Sequence, residues 1–242
     1  MRAGHVIRVL GPIDILTPQG PRDVGGKHQR TVLAALVLSV GRTVPADHLV
    51  DLVWGEEAPP SARTTLLSHI SRLRNLIGQD GIVRRDHSYV LNVDAESVDA
   101  LRFEKLLTQA LDQRHEPEKC RVLCQQALSL WRGVPFGDLA DDFPFRLEAI
   151  RLDEIRHSTM ELRFESDLAL GHHDLVVGAL EAAIEESPYR ERLWYLLIEA
   201  LSMQERRVEA LRVCQNFREA LGEAGIEPRQ RLADIEDNLL AG

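Results

Sequence analysis

The amino-acid sequence predicts an α+β domain at the N-terminus, followed by an all-α domain. Short segments with strand-like alternation occupy residues 6–24, and three helical segments and a hairpin pattern follow up to residue 96. After Val98 the strand patterns end, and helical segments separated by glycine and proline continue along the chain. A chain of 242 residues is long enough for two small domains. We therefore predict domains over residues 1–96 and 97–242.

The N-terminal domain begins with a small sheet and two helices. Its strand patterns are VIRVLG, PIDILT and a short RDV after the turn PQGP, and a glycine pair ends the sheet. Apolar residues at helical spacing predict helices over residues 27–40 and 46–54, with Trp54 as a core residue rather than a nucleic-acid contact. A sheet and three helices can enclose a core, so we expect residues 1–98 to fold alone.

The most informative segment is the third helix, residues 62–77, ARTTLLSHISRLRNLI. Its apolar residues at positions 66, 70, 73 and 77 fall on one helix face. Ser61 is predicted to be its N-cap and Gly78 its C-cap. The opposite face carries no acid and collects Thr64, Thr65, Ser68, Ser71, Arg72 and Asn75.

This outer face suits a helix that reads bases in the DNA major groove. Arginine can bridge guanine O6 and N7, and small hydroxyls can reach base edges or phosphates. The hairpin IVRRDHSYVL that follows is typical of the wing of a winged helix-turn-helix, and a basic helix N-terminus favours a phosphate. The candidate DNA-binding residues are Arg72, Thr64, Thr65 and Ser68 for bases, and His69, Arg74, Arg84, Arg85, His87, Lys27 and Arg30 chiefly for the DNA backbone.

The charge of the chain is divided unevenly. The net charge is −9, but residues 1–98 hold 11 basic and 10 acidic residues, whereas residues 99–242 hold 18 and 28. Within residues 61–85 there are five arginines and one acid, Asp80. The positive charge is thus concentrated at the proposed reading helix and wing, and the acidic remainder is better suited to contacts with protein than with DNA.

The C-terminal domain reads as a series of helices. We predict them over residues 99–114, 117–132, 143–170, 173–186, 190–204, 207–221 and 228–240, and residues 133–144 are the longest irregular stretch. A weak repeat of roughly 34 residues, carried by Gly171, Ala183, Pro188 and Trp194, resembles a short tetratricopeptide array. Such stacked helix pairs usually present a binding surface rather than a catalytic site.

Several other functions find little support in the sequence. Three cysteines, Cys120, Cys124 and Cys214, imply no disulfide framework and are expected to be buried. The pairs of adjacent acids lack the context of a catalytic dyad, and His172-His173-Asp174 is read as a helix start rather than a metal site. No apolar run of membrane length, signal peptide or GxxxxGK[ST] motif occurs, so we expect a cytosolic protein without cofactor, metal or catalytic residues.

The order of these motifs resembles a known family. The segments KHQRTVLAAL, LVDLVWG and PPSARTTLLSHISRLRNLIG with the hairpin resemble the winged-helix domain of OmpR-type response-regulator effectors. The segments PYRERLWYLLIEAL, RRVEALRVCQNFREAL and GIEPRQRLADIE resemble the bacterial transcriptional activator domain. In this tandem order the chain resembles the Streptomyces antibiotic regulatory proteins, pathway-specific activators of actinobacteria.

The resemblance implies an activator of a secondary-metabolite gene cluster. It implies binding to direct repeats near the −35 element as a homodimer on duplex DNA, and recruitment of RNA polymerase holoenzyme. The wing departs from the family pattern, because Ser88-Tyr89 stands where Gly-Tyr is common, and no receiver domain with a phospho-acceptor aspartate is found.

Two alternatives remain at this stage. One is an interaction scaffold in which the repeat domain dominates and DNA binding is secondary, against which the five clustered arginines speak. The other is an enzyme or a small-molecule sensor whose helical domain holds a ligand. No motif supports catalysis, whereas a ligand would leave no sequence signature.

Overall fold

The computed structural model describes residues 4–241, so residues 1–3 and 242, the outer ends of the predicted domains, lie outside the described residues. The chain divides into two compact units. The winged-helix unit consists of the residues up to Thr108 together with Gln126–Arg156, and the helical unit consists of Gln109–Gln125 and the residues from His157 onward. The winged-helix unit therefore contains residues from both sides of the predicted domain boundary at 96/97. That boundary stays a prediction.

The secondary structure follows the predicted order. The strands are β1 (Val6–Arg8), β2 (Asp14–Thr17), β3 (Gly20–Asp23), β4 (Thr43–Pro45), β5 (Ile82–Arg85) and β6 (Ser88–Leu91). The helices are α1 (Lys27–Val37), α2 (Ala46–Trp54), α3 (Ala62–Ile77), α4 (Asp99–Asp112), α5 (Pro117–Leu128), α6 (Phe145–Ala169), α7 (His173–Glu186), α8 (Glu191–Met203), α9 (Arg207–Glu223) and α10 (Gln230–Ala241). The predicted architecture, a small β-containing winged helix followed by a helix-rich domain, is confirmed.

Two small antiparallel sheets flank the three N-terminal helices. Strands β1, β2 and β3 form one sheet in sequence order, and β4, β6 and β5 form the other. The sequence reading missed β4, which pairs Val44 with Tyr89 and so ties the start of α2 to the wing. At the wing tip Asp86 adopts a left-handed conformation, φ 51°, which lets β5 turn directly into β6 without a glycine.

Helix α3 has the predicted amphipathic form. Its positions 66, 70, 73 and 77 are buried against α1 and α2. Gly78 ends the helix with φ 101°, and its N–H donates to the Arg74 carbonyl, as expected of a C-cap. Ser61 occupies the N-cap position, as predicted, but its side chain makes no capping hydrogen bond, and its carbonyl accepts from both the backbone N–H and the hydroxyl of Thr65. Trp54 packs against the core, as predicted.

The core of the winged-helix unit does not end at residue 98. Phe103, Phe136, Phe145 and Leu152 are fully or almost fully buried within it. The irregular stretch after α5 runs beside the end of β1, where the backbone N–H groups of residues 132 and 136 donate to the carbonyls of residues 10 and 9. The core predicted for residues 1–98 therefore extends beyond them.

Two glycines allow this close approach. A Cβ atom on Gly11 would lie 3.0 Å from the Cβ of Arg132, and one on Gly137 would lie 3.0 Å from the Cα of Pro12. Both glycines also have positive φ, 145° and 54°. Neither position has room for a side chain without moving backbone, so the two segments meet there only because both residues are glycine.

A buried carboxylate fixes the start of α4 to the first sheet. Asp99 is 1% exposed and accepts hydrogen bonds from the N–H groups of Val9, at 2.8 Å, and Leu10, at 3.1 Å. Burial raises the pKa of Asp99 to about 6, although the backbone hydrogen bonds and Arg132, whose Nη2 lies 3.8 Å from Oδ2, act in the opposite direction.

The helical unit is built around α8, which packs against α7 on one side and α9 on the other. The Trp194 and Phe217 rings stack at 5.2 Å between centroids, and Tyr195 meets Phe217 edge-on. The cysteines are buried and free, as predicted, and burial raises the pKa of the Cys214 thiol to about 11. Within residues 4–241 no helix combines the length and apolar character needed to cross a bilayer.

Candidate nucleic-acid interface

The outer face of α3 presents hydroxyls and a free arginine. Thr64, Ser68 and Arg72 are exposed, and Thr65 is half-buried. The hydroxyl of Ser68 donates to the Thr64 carbonyl at 3.3 Å, so its oxygen lone pairs remain open toward solvent. Arg72 makes no hydrogen bond or ion pair with any residue between 4 and 241, which leaves its five N–H donors available for a base edge.

His69 is placed differently from the rest of the predicted set. Its ring stacks on Trp54 at 6.3 Å between centroids and meets His28 edge-on at 6.4 Å. Both ring nitrogens are buried and lack a hydrogen-bond partner. Burial lowers the pKa of His69, and His28 and Arg72 lower it further, so the neutral ring is favoured. In this structure His69 therefore belongs to an aromatic cluster behind the helix front, and a phosphate contact would require the ring to turn out.

Arg74 connects the reading helix to the wing. Its Nε donates to the Ile82 carbonyl at 2.8 Å, at the first residue of β5. In the wing itself Arg84, Arg85 and His87 are exposed, and Arg84 Nε donates to the Asp86 carbonyl at 3.0 Å. The structure thus gathers the three predicted wing residues at one hairpin, and Arg74 holds that hairpin to α3.

Lys27 and Arg30, predicted at the start of α1, are already engaged. Lys27 Nζ lies 2.8 Å from Asp142, whose hydrogen bond raises the pKa of the ammonium group. Arg30 reaches Asp138 at 2.6 Å, and this hydrogen bond lowers the pKa of Asp138. Both cations therefore hold the stretch after α5 against α1, and any phosphate contact would have to replace these partners.

A cleft of about 400 Å³ lies between α3 and the wing. Sequence reasoning missed it, because its walls come from three separate segments: the start of α2, the exposed edge of α3 and the hairpin. Leu67, on the α3 wall, is 49% exposed, although helical periodicity alone places it beside the core face. The lining residues are Ala46, Asp47, Arg63, Leu66, Leu67, Arg84, His87 and Tyr89.

Comparison with known proteins agrees with this architecture. Residues 25–94 match the family described as "Transcriptional regulatory protein, C terminal", and residues 98–240 match the "Bacterial transcriptional activator domain". A winged helix joined to such a domain defines the class of transcriptional regulators.

Comparison with individual proteins identifies the family of transcriptional regulators to which the chain belongs. The chain is 34% identical over 235 residues to the regulatory protein AfsR of Streptomyces griseus, with 96% of this chain and 24% of that protein covered. It is 32% identical over 225 residues to the regulatory protein DnrI of Streptomyces peucetius, with 87% of this chain and 83% of that protein covered. The chain belongs to the Streptomyces antibiotic regulatory protein family.

A solved structure has the same fold. The Mycobacterium tuberculosis protein EmbR, solved in complex with a low-affinity phosphopeptide, superposes with a TM-score of 0.90 at 29% identity. The match covers 98% of this chain and 65% of EmbR. This chain thus spans about a quarter of the length of AfsR and about two thirds of the length of EmbR.

Proposed function

We propose that this transcriptional regulator activates genes by binding duplex DNA through the face of α3 and the wing. The observation that carries the proposal is the free, exposed Arg72 on a helix front without acids, next to a hairpin with three exposed basic side chains. Arg72, with Thr64, Thr65 and Ser68 around it, is assigned to base edges in the major groove. Arg84, Arg85 and His87 are assigned to phosphates or the minor groove.

The remaining predicted residues are assigned supporting roles in DNA binding. Arg74, in the last turns of α3, orients the wing through the Ile82 carbonyl and adds positive charge for a nearby phosphate. Lys27 and Arg30 bind phosphate only by giving up Asp142 and Asp138, so their net contribution is expected to be small. His69 acts by packing against Trp54 unless its ring turns toward DNA.

The acidic C-terminal part is assigned to protein contacts. Residues 99–242 hold 18 basic and 28 acidic residues, so this part gains nothing from phosphates. We infer that two copies bind direct repeats near the −35 element of a promoter for secondary-metabolite genes, in the cytoplasm, and that the helical unit supports the pair and recruits RNA polymerase. Two linked reading helices bind more tightly than one because the second event is intramolecular.

The DNA-binding part is tested by selecting sites from a random duplex library and titrating the purified chain against the selected duplex. Affinity should fall with salt, and each basic contact to phosphate should add about 0.9 to the slope of log affinity against log salt. Absence of duplex binding at about 50 mM salt, where such contacts are strong, would remove the proposal.

The paired-subunit part is tested by transcription in vitro. Direct repeats spaced by about one helical turn, 10–10.5 bp, place both reading helices on the same side of the duplex. Inserting about half a turn between the repeats should abolish activation, while each half-site alone still binds. Full activation from the shifted template would contradict the paired arrangement.

A further inference from the structure

The lining of the cleft between α3 and the wing includes an ion pair. Asp47, in the first turn of α2, lies 2.5 Å from the Nη2 atom of Arg63, in the first turn of α3. Both side chains are open to solvent, at 69% and 71% exposure. Arg84 and His87 from the wing line the same cleft, and Asp47 is the acid among its described lining residues.

This pair places a carboxylate where the proposed function needs phosphate. A strand of DNA that touches both α3 and the wing passes over the cleft, and Arg63 is the α3 cation that lines it. Asp47 occupies Arg63 with the kind of oxygen acceptor that a phosphate presents. Exposed ion pairs of this type contribute little to folding stability, so the pair can open at small cost.

We propose that Asp47 competes with the DNA backbone for Arg63 and thereby lowers the affinity of the chain for all DNA sequences. When DNA enters the cleft, Arg63 leaves the carboxylate and binds a phosphate, and Asp47 is left facing the strand without a partner. This inference rests on the proposed DNA-binding function. It adds a residue that weakens binding, whereas the predicted residues all strengthen it.

The effect should be independent of base sequence. A phosphate is the same at every step, so the ratio of specific to non-specific affinity stays constant when Asp47 is changed. The salt dependence should change, because salt screens both the attraction between Asp47 and Arg63 and the repulsion between Asp47 and the phosphates, which offsets part of the loss of affinity with salt in the native chain. Without Asp47 this offset is absent, and the salt slope should steepen by up to about 0.9.

An alternative interpretation is that Asp47 only stabilises its own helix. An acid in the first turn favours a helix through the helix dipole, whether or not DNA is present. That role predicts a lower melting temperature for Asp47→Asn and no gain in DNA affinity. The two interpretations therefore predict different results for DNA affinity, a gain under the proposal and no gain under the local role.

The test compares four variants of the full chain by fluorescence anisotropy, with a selected duplex and a random-sequence duplex, at several salt concentrations. The variants are Asp47→Asn, Arg63→Ala, the double variant and Asp51→Asn. Asp51 is exposed one turn further along α2, does not line the cleft and forms no ion pair with any residue between 4 and 241, so its variant matches the charge change. Thermal melting identifies any variant that loses its fold, and Asp47→Ser provides a second replacement.

We expect Asp47→Asn to bind both duplexes about two- to fivefold more tightly, the range that an exposed ion pair supplies, with the steeper salt slope. In the Arg63→Ala background this gain should disappear, and Asp51→Asn should bind like the native chain. Equal gains with and without Arg63, an equal gain from Asp51→Asn, or no gain at all overturns the inference while leaving DNA binding intact. If the native chain and every variant fail to bind duplex, the proposed function itself fails.

Discussion

Replacing Asp99 with alanine should destabilise the winged-helix unit although the residue lies far from the reading helix in the chain. The carboxylate is the acceptor for two buried backbone N–H groups, at residues 9 and 10. Each unpaired buried donor costs about 1–3 kcal/mol. Part of this loss is recovered, because the buried charge is itself unfavourable: a pKa of about 6 against 3.8 corresponds to roughly 3 kcal/mol at neutral pH. The two donors together cost about 2–6 kcal/mol, so we expect a net loss of up to about 3 kcal/mol in the free energy of unfolding.

Asparagine at the same position separates the loss of the hydrogen-bond acceptor from the loss of the buried charge. It keeps one acceptor oxygen and carries no charge, so Asp99→Asn should lose less stability than Asp99→Ala. Urea unfolding of the full chain, followed by circular dichroism, measures both. Both variants remove the charge, so an alanine variant within about 0.5 kcal/mol of the asparagine variant, the spread of ordinary surface substitutions, would refute the view that Asp99 joins α4 to the first sheet.

The same residue gives a pH dependence whose sign is fixed. Because the pKa of Asp99 is higher in the folded chain than in the unfolded one, the folded state binds the proton more tightly. The stability that Asp99 contributes is largest below the unfolded pKa of 3.8 and is lost as the pH rises through about 6. Relative to Asp99→Asn, the native chain should gain roughly 1 kcal/mol between pH 7 and pH 5. A flat difference across this range would show that Asp99 titrates normally.

Three further predictions concern the interface and its support. Arg72→Ala should cost about 1–3 kcal/mol in the free energy of DNA binding and relax specificity at one base step, whereas Arg84→Ala should weaken binding to all duplexes alike. Equal, sequence-independent losses for both variants would show that Arg72 contacts only the DNA backbone. Because the pKa of His69 is lowered in the folded chain, the stability that its neutral ring contributes is present above the unfolded pKa of 6.5 and is lost as the pH falls below it. The variant His69→Phe should therefore make the free energy of unfolding less sensitive to acid. An unchanged pH profile would contradict this. Residues 1–98 alone should show no cooperative thermal transition, whereas residues 1–156 should; a cooperative melt of the shorter fragment would mean that the later core residues are dispensable.

Local patterns were enough to predict the reading helix. Helix α3 spans the predicted residues 62–77, because its apolar spacing, the absence of breakers and Gly78 all act within one segment. The exposed positions of Thr64, Ser68 and Arg72 follow from the same periodicity. Strand β4 escaped prediction because three residues ending in proline carry no strand pattern, and they form a strand only by pairing with β6.

Contacts between distant segments could not be predicted. Lys27 and Asp142 are separated by more than a hundred residues, and nothing in the sequence near either residue indicates the other. The same holds for Asp99 and its two backbone donors. For this reason the sequence suggested that Lys27 is free for phosphate, whereas the structure shows it paired. The cleft with Asp47 was missed for a similar reason, since its walls meet only in the fold.

The discontinuous make-up of the winged-helix unit has a consequence for synthesis on the ribosome. Because its core includes Phe136, Phe145 and Leu152, the unit cannot close until residues up to about 156 have left the exit tunnel. At a rate of roughly 5–20 residues per second, the first helices wait for several seconds with apolar surface uncovered. A nascent chain stopped near residue 100 therefore still exposes part of this core, and α3 is fully supported only in chains that already carry the start of the activator domain.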